Sequence, residues 1–122
     1  MTARILTVDD SASIRLTTKV TLSNAGYEIT EAVNGAEGLE KAKSGQFDLI
    51  VTDLNMPVMD GLTMIEELRK LPAHTGVPII FLTTESDADL KARAKAAGAT
   101  GWLTKPFDPE TLVKIVKKVL GR

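Results

Sequence analysis

The chain has 122 residues, with 15 Lys and Arg against 16 Asp and Glu, so its formal net charge at pH 7 is −1. This length is typical of one domain that buries about two-thirds of the surface of its unfolded chain. The balanced charge and few aromatic residues argue against binding to nucleic acid or to an anionic membrane. The absence of cysteine excludes disulfides and thiolate sites. With no signal-peptide core and no membrane-length apolar stretch, we expect a soluble, cytoplasmic protein.

Five short runs predict β-strands. Three of them are almost wholly apolar, as in central strands of a parallel sheet that is covered on both faces: Ile5–Val8, Leu49–Val51 and Val77–Leu82. Two weaker runs, Tyr27–Ala32 and Gly101–Thr104, are predicted nearer the sheet edges.

Helix signals separate these runs. Asn34 and Ser86 each precede an acidic residue by three positions, as capping boxes do. Asp108, followed by a proline, predicts the start of the last helix, which ends at Gly121. A β-α pair repeated five times predicts an α/β fold with right-handed crossovers, five helices and an open, doubly wound parallel sheet of five strands.

Charged side chains follow these strands. Asp9 and Asp10 come after the first strand, Asp53 ends the third and Lys105 follows the fifth, while Thr83 ends the fourth with a hydroxyl donor. Because the carboxyl ends of parallel strands meet at one edge, we expect a common pocket. Two like charges about 4 Å apart repel by about 4 kcal/mol at an effective dielectric near 20. Carboxylates without His or Cys then favour Mg²⁺.

These residue types support phosphoryl transfer. We interpret Asp10 and Asp53 as direct Mg²⁺ ligands and Asp9 as a ligand through water, with a backbone carbonyl from Asn55 completing the set. Asp53 beside the cation is a competent phosphoryl acceptor, and Lys105 neutralises charge on the transferring oxygens. Taken singly, each group also has a structural explanation, such as a helix start at the acidic pair. Their joint occurrence at strand ends favours a site.

The motifs resemble the receiver domain of two-component response regulators over the whole chain, residues 1–122, as a single domain with no output domain. The matching residues are Asp9, Asp10, Asp53, Met56, Pro57, Asp60, Gly61, Thr83, Lys105, Pro106 and Phe107.

The resemblance implies a flavodoxin-like (CheY-like) fold with strand order 2-1-3-4-5. It implies that Asp53 is phosphorylated, that Lys105 binds the phosphoryl group, and that the Lys105–Pro106 peptide is cis. It also implies a Mg²⁺ site, for which the ligands are Asp9, Asp10, Asp53 and the Asn55 carbonyl.

Thr83 and Trp102 resemble the switch pair of this family. There the threonine hydroxyl moves toward the phosphoryl group and an aromatic side chain rotates into the vacated space. Trp102 is bulkier than the usual Tyr or Phe, so a plain packing role stays an alternative. Asn55, Thr84 and Glu85 match positions that tune phosphoryl lifetime, and Thr84 is larger than the usual Ala or Gly.

Among receivers, the chain is most similar to the single-domain chemotaxis regulators of the CheY group. This implies a CheA-like histidine kinase as donor, a flagellar motor switch protein or another output protein as partner, a possible phosphatase and a monomeric state. A phosphate sink or phosphorelay intermediate stays an alternative. The expected partner surface comprises the helix from Ser86, strand five and the last helix. Its exposed lysines are Lys91, Lys95, Lys114, Lys117 and Lys118.

Two further classes are less well supported. A phosphohydrolase of the haloacid dehalogenase type requires an acid two residues after the nucleophile, where this chain has Asn55. A pseudo-receiver would lack the acidic site. We therefore expect a signalling protein that catalyses only its own phosphorylation and dephosphorylation, not an enzyme. His74, the single histidine, is expected on a surface loop, and Gly61 is expected to give backbone freedom at a turn.

Overall fold

The computed structural model describes residues 2–54, 56, 58–84, 88–105 and 107–121, and only the backbone of residue 73. Strands and helices alternate along the chain. The strands are β1 (Arg4–Val8), β2 (Glu28–Ala32), β3 (Leu49–Asp53), β4 (Ile79–Thr83) and β5 (Gly101–Thr104). The helices are α1 (Ala12–Asn24), α2 (Gly35–Ser44), α3 (Gly61–Leu68), α4 (Ala88–Ala96) and α5 (Pro109–Leu120), with a short 3₁₀ helix at Pro72–His74.

The strands form one parallel sheet in the order β2-β1-β3-β4-β5. β3 and β4 are buried along their whole length, whereas β2 and β5 at the edges are half-buried, as their weaker apolar runs predicted. The fourth strand begins two residues later than predicted, at Ile79. Pro78 has no N–H for the ladder, although its carbonyl still accepts a hydrogen bond from the Ile50 N–H at 3.0 Å. The predicted strand order is confirmed.

Helices cover both faces of the sheet. On one face, α1 and α5 pack over an apolar cluster centred on Leu22, Leu112 and Val116. On the other, α2, α3 and α4 cover a larger cluster that includes Ile65 and Phe81. None of the helices in the described ranges combines the length and apolar character needed to cross a membrane.

The predicted helix caps are observed wherever the capping residue and its hydrogen-bond partner both lie in the described ranges. Asn34 Oδ1 accepts a hydrogen bond from the Glu37 N–H at 2.9 Å, which satisfies one of the free donors at the start of α2. Asp108 caps α5, and Gly121 closes it in the left-handed conformation at φ 73°. The helix start predicted at Ser86 lies outside the described residues.

The expected surface position of His74 is wrong. The residue is only 1% exposed, and its ring centroid lies 6.5 Å from that of Phe47. Burial, and to a lesser extent the charge of Arg69, lowers the pKa of His74. Within the described residues, neither ring nitrogen has a hydrogen-bond partner. The Pro- and Gly-rich composition indicated a surface loop, but the 3₁₀ helix carries this ring inward.

Candidate functional site

Three carboxylates meet at the carboxyl edge of the sheet. Asp9 and Asp10 follow β1, and Asp53 ends β3, the neighbouring strand. Carboxylate oxygens of the three residues lie within 4.8 Å of one another. Asp9 and Asp53 are 4% and 8% exposed, whereas Asp10 is exposed. The strand order therefore brings together the acidic residues that the sequence placed at strand ends.

Lys105 supplies a positive charge to the same pocket from the end of β5. Its Nζ lies 2.8 Å from Asp9 Oδ2 and 3.3 Å from Asp53 Oδ1, and its side chain is 11% exposed. Its backbone N–H donates to the Thr83 carbonyl at 2.7 Å, which continues the pairing of β5 with β4. One ammonium thus lies against two buried carboxylates.

The electrostatic balance of the pocket is seen at Asp53. Burial, and next the negative charge of Asp9, raises the pKa of Asp53. The Lys105 ammonium and the Leu54 N–H, which donates to Asp53 Oδ1 at 2.8 Å, oppose this shift without cancelling it. Three carboxylates face one ammonium in the pocket, and this excess of negative charge favours the uptake of a cation.

Asp9 is held at every polar atom. Its N–H donates to the Ala32 carbonyl at 3.1 Å, and its carbonyl accepts from Arg15 at 2.7 Å. Its Oδ1 accepts from the Ser11 N–H at 2.9 Å, and its Oδ2 from the lysine ammonium. Asp9 therefore helps to begin α1, whose cap is Ser11, as well as lining the pocket.

Oxygen donors fit a hard divalent cation. Carboxylates are ligands that Mg²⁺ takes together with water. Among the described residues the site offers no histidine or cysteine ligand, so it is poorly suited to Zn²⁺ or Cu²⁺. The carbonyl of Asn55, also predicted as a ligand, lies outside the described residues. Glu85 and Pro106 also lie outside the described residues. The tuning role of Glu85 and the cis Lys105–Pro106 peptide therefore stay predictions.

Thr83 and Trp102 lie on the neighbouring strands β4 and β5. Thr83 is buried at the end of β4, on the same face of that strand as Phe81. Trp102 stands opposite Phe81 in the register, with ring centroids 5.7 Å apart. Lys91 Nζ lies 5.7 Å from the centroid of the Trp102 ring. Thr84, directly after the strand, is exposed.

The role expected for Gly61 is wrong. It is the first residue of α3, capped by Asp60, and it is not among the glycines with positive φ. A Cβ built on Gly61 would overlap the carbonyl oxygen of Asp53. Glycine is therefore required here for close approach of the helix to the end of β3. Among the described residues of this loop, the positive φ, 70°, falls instead on Val58, which is 83% exposed.

The family sequence model of the response regulator receiver domain matches residues 5–117 of this chain. The chain belongs to the response regulator receiver domain family. The high-resolution structure of chemotaxis protein CheY4 of Vibrio cholerae is similar with 47% identity and a TM-score of 0.94, over 98% of this chain and 99% of that one. These likenesses confirm the CheY-like fold.

Other receivers are also similar. Chemotaxis protein CheY1 of Helicobacter pylori is 38% identical over 120 residues, which cover 97% of each chain. The receiver domain of sensor histidine kinase PA1611 of Pseudomonas aeruginosa, described with a magnesium ion in its active site cleft, is 28% identical with a TM-score of 0.91 and full coverage of both chains. The receiver sequence spans only 48–58% of the length of the first three curated transcriptional regulators that it matches.

Sequence reasoning missed Arg15, which contacts the acidic loop of this receiver, and Glu31, which contacts Arg15. Arg15 on α1 donates to the Asp9 carbonyl, and Glu31 on β2 lies 3.7 Å from the Arg15 guanidinium. Their spacing in the sequence does not by itself predict these contacts, because the contacts depend on the angle at which α1 leaves β1. A search for charged residues one turn into the helix after the acidic pair would have raised Arg15 as a candidate.

Proposed function

We propose that this receiver is a phosphorylation-gated binding switch, in which Asp53 accepts a phosphoryl group from a histidine kinase in the presence of Mg²⁺. The observation that supports this most directly is the convergence of three carboxylates and Lys105 in one pocket. A purely structural role explains poorly why three carboxylates are gathered at a place where burial, and next the charge of Asp9, raises the pKa of Asp53.

In this proposal, Asp10 and Asp53 hold the cation directly and Asp9 acts through water. The Asn55 carbonyl is the further ligand implied by family resemblance. Bound Mg²⁺ supplies positive charge that offsets the negative charge of the carboxylates and of the incoming phosphoryl oxygens. The magnesium described for the PA1611 receiver supports the choice of ion.

Asp53 is the proposed nucleophile. Among the described residues, its contacts fall on Oδ1, which accepts from the Leu54 N–H and lies 3.3 Å from Lys105 Nζ. We assign the attack on phosphorus to Oδ2. A P–O bond forms to Asp53, the P–N bond to the kinase histidine breaks, and the imidazole leaves with the electron pair. Lys105 then pairs with a phosphoryl oxygen. Because Asp53 itself carries the product, the receiver is a signalling protein and turns over no independent substrate.

Thr83 is the proposed sensor of the phosphoryl group. Its hydroxyl is one residue beyond the strand position that pairs with Asp53, at the same edge of the sheet. A hydroxyl that turns toward a phosphoryl oxygen changes the space available to Trp102, which packs on Phe81 across the pair of β4 with β5. Thr84 is exposed beside it, and we expect Thr84→Ala to shorten the phosphoryl lifetime by opening the site to water.

The proposed output surface is formed by α4, β5 and α5. Cavities of about 230 Å³ and 460 Å³ flank β5, and Trp102 lines both. Of the five exposed lysines predicted for this surface, Lys91 and Lys95 line the smaller cavity and Lys118 lines the larger one. The other two, Lys114 and Lys117, are exposed elsewhere on α5. This surface suits an acidic amphipathic segment of a partner. The 47% identity with CheY4 favours chemotaxis and the flagellar motor switch over the alternatives of a phosphate sink or a relay intermediate.

The decisive experiment is the intact mass of the protein after incubation with acetyl phosphate and Mg²⁺. We expect one added phosphoryl group, absent from Asp53→Asn and from a sample kept in chelator. No adduct, together with no binding of beryllofluoride, would overturn the proposal in favour of a constitutive interaction domain. Turnover of p-nitrophenyl phosphate by the unchanged protein would favour a phosphohydrolase instead.

A second experiment addresses the partner. Beryllofluoride-loaded protein is titrated with a motor-switch peptide, and the same titration is repeated with Lys91→Glu and with Lys43→Glu, an exposed lysine on α2. We expect the first substitution alone to weaken binding. Equal effects of the two would contradict the proposed surface.

A further inference from the structure

Arg15 ties the acidic loop to the neighbouring strand β2. Its guanidinium nitrogen donates to the Asp9 carbonyl at 2.7 Å, and its Nε lies 3.7 Å from Glu31 Oε1. The Arg15 side chain is only 18% exposed. Glu31 is contacted on its other oxygen by Lys19, at 3.6 Å. The planar guanidinium thus contacts both the loop after β1 and strand β2. A lysine ammonium, which has a single nitrogen, is less suited to hold both contacts.

The hydrogen bond from Arg15 to the Asp9 carbonyl also affects the position of Asp10. The carbonyl of Asp9 and the N–H of Asp10 belong to one rigid peptide plane, so a hydrogen bond that fixes the carbonyl also fixes the point from which the Asp10 side chain starts. Within the described residues, no hydrogen bond or ion pair holds the Asp10 carboxylate itself. Its direction toward Asp53 therefore depends on how the backbone is held.

We infer that Arg15 is a positioning residue, which holds the peptide plane between Asp9 and Asp10 so that the Asp10 carboxylate faces the cation site. The inference rests on the proposed function, because it concerns the same Mg²⁺ site. Glu31 keeps the guanidinium in place and balances its charge, so that the positive charge near the pocket stays small.

If Arg15 acts by positioning, its neutralisation changes the Mg²⁺ affinity in the opposite direction from that expected if it acts through its charge. A positive charge close to a cation site opposes cation binding, so an effect through charge alone would make Mg²⁺ bind more tightly when Arg15 is neutralised. An effect through positioning would weaken binding, typically by about 10- to 100-fold when a residue that orients a ligand is removed. Lys19 offers a matched control, because it carries the same charge on the same helix and contacts the same Glu31 without reaching Asp9.

The test compares Arg15→Met with Lys19→Met by Mg²⁺ titration calorimetry, with thermal unfolding as a check on folding. We expect Arg15→Met to bind Mg²⁺ at least about 10-fold more weakly, whereas Lys19→Met binds as tightly as the unchanged chain or slightly more tightly. In metal-free protein, the ¹³C′ resonance of Asp9 should move upfield in the Arg15 variant and stay in place in the Lys19 variant. Should Arg15→Met fail to fold, Arg15→Lys serves, with a smaller loss of affinity expected.

Equal or tighter Mg²⁺ binding by the Arg15 variant, relative to the Lys19 variant, would overturn the inference, as would an unchanged Asp9 ¹³C′ resonance. Failure of the unchanged chain to bind Mg²⁺ or beryllofluoride is a different result, because it overturns the proposed function itself and the inference with it.

Discussion

The ammonium of Lys105 lies closer to Asp9 than to Asp53, with Nζ 2.8 Å from Asp9 Oδ2 and 3.3 Å from Asp53 Oδ1. The lysine therefore pairs most tightly with a predicted metal ligand and only secondarily with the proposed phosphoryl acceptor. Both carboxylates are buried, so removal of the lysine leaves their charges facing each other with little solvent to screen them.

Lys105→Met should destabilise the metal-free protein by about 3 kcal/mol, because it leaves two buried carboxylates without their cation. Millimolar Mg²⁺ should recover much of this loss, since the cation takes over the charge balance. Urea unfolding in chelator and in Mg²⁺ measures both effects. Lys118→Met, an exposed position on α5, is the matched control and should change stability by less than about 0.5 kcal/mol. Equal losses in the two variants would contradict the pairing.

Asp53→Asn should stabilise the metal-free protein at neutral pH. The pKa of Asp53 is raised in the folded state, first by burial and then by Asp9, so the fold favours the protonated carboxyl. Stability from this group is present below the unfolded pKa, near 3.8, and is lost as pH rises through the folded pKa. The advantage of the Asp53→Asn variant should therefore shrink as the pH is lowered toward that value.

Urea unfolding in chelator at a series of pH values tests this prediction. Glu40→Gln, an exposed acid on α2, is the charge-matched control and should give a small difference with little pH trend. An Asp53→Asn variant that is less stable than the unchanged chain at pH 7 would show that the Lys105 contact outweighs the burial of Asp53.

Gly61→Ala should destabilise the fold by about 1–3 kcal/mol, because the new methyl group overlaps the Asp53 carbonyl oxygen and forces α3 away from β3. It should also slow phosphorylation, since Asp53 moves with that backbone. Gly76→Ala is the control, because its Cβ would meet nothing within 4 Å, and it should be neutral or slightly stabilising. Unfolding midpoints and adduct formation with acetyl phosphate measure the two effects. A Gly61 variant that matches the Gly76 variant would contradict the close approach.

His74→Leu should reduce the amount of folding stability that the protein loses as the pH is lowered. The pKa of His74 is lowered by burial and by Arg69, so the unfolded chain takes up the proton first as the pH falls below 6.5. The contribution of neutral His74 to stability is therefore fully present above pH 6.5, and it is lost as the pH falls through the lower pKa of the folded state. At about pH 7.5 the Leu variant should be at least as stable, because it removes two buried nitrogens that have no partner among the described residues. Parallel slopes for the two proteins between about pH 7.5 and pH 5.5 would disprove this.

Trp102 should report the activation step, because it is the single tryptophan of the chain. Beryllofluoride with Mg²⁺ should change its emission in the unchanged protein and leave it unchanged in Asp53→Asn. Lys91→Met should alter the emission of the unloaded protein, since the ammonium lies over the indole ring, while Lys43→Met should have no effect. A static Trp102 emission on loading would support the alternative of a packing role.

The order of elements, their covered and edge strands, and the convergence of Asp9, Asp10 and Asp53 were predictable from the chain. Each depends on a repeating or local signal, such as an apolar run or a capping residue, and on the rule that parallel strands end at one edge. The strand order came from family resemblance, because apolar runs alone do not say which strands are neighbours. The start of β4 was displaced by two residues, since the apolar run included Val77 and Pro78 ahead of the ladder.

Apolar runs and the residues that follow them were enough to place Asp9, Asp10, Asp53 and Lys105 at the carboxyl edge of the sheet. The contacts at that edge became visible only in the folded chain: Lys105 against Asp9, Arg15 on the Asp9 carbonyl and Gly61 against Asp53. So did the inward position of His74, away from that edge. The physical reason is that periodicity reports the face on which a residue lies, whereas a hydrogen bond or a steric overlap depends on sub-ångström distances between separate elements. Those distances are set by the packing of whole helices and strands, to which residues far apart in the chain contribute together.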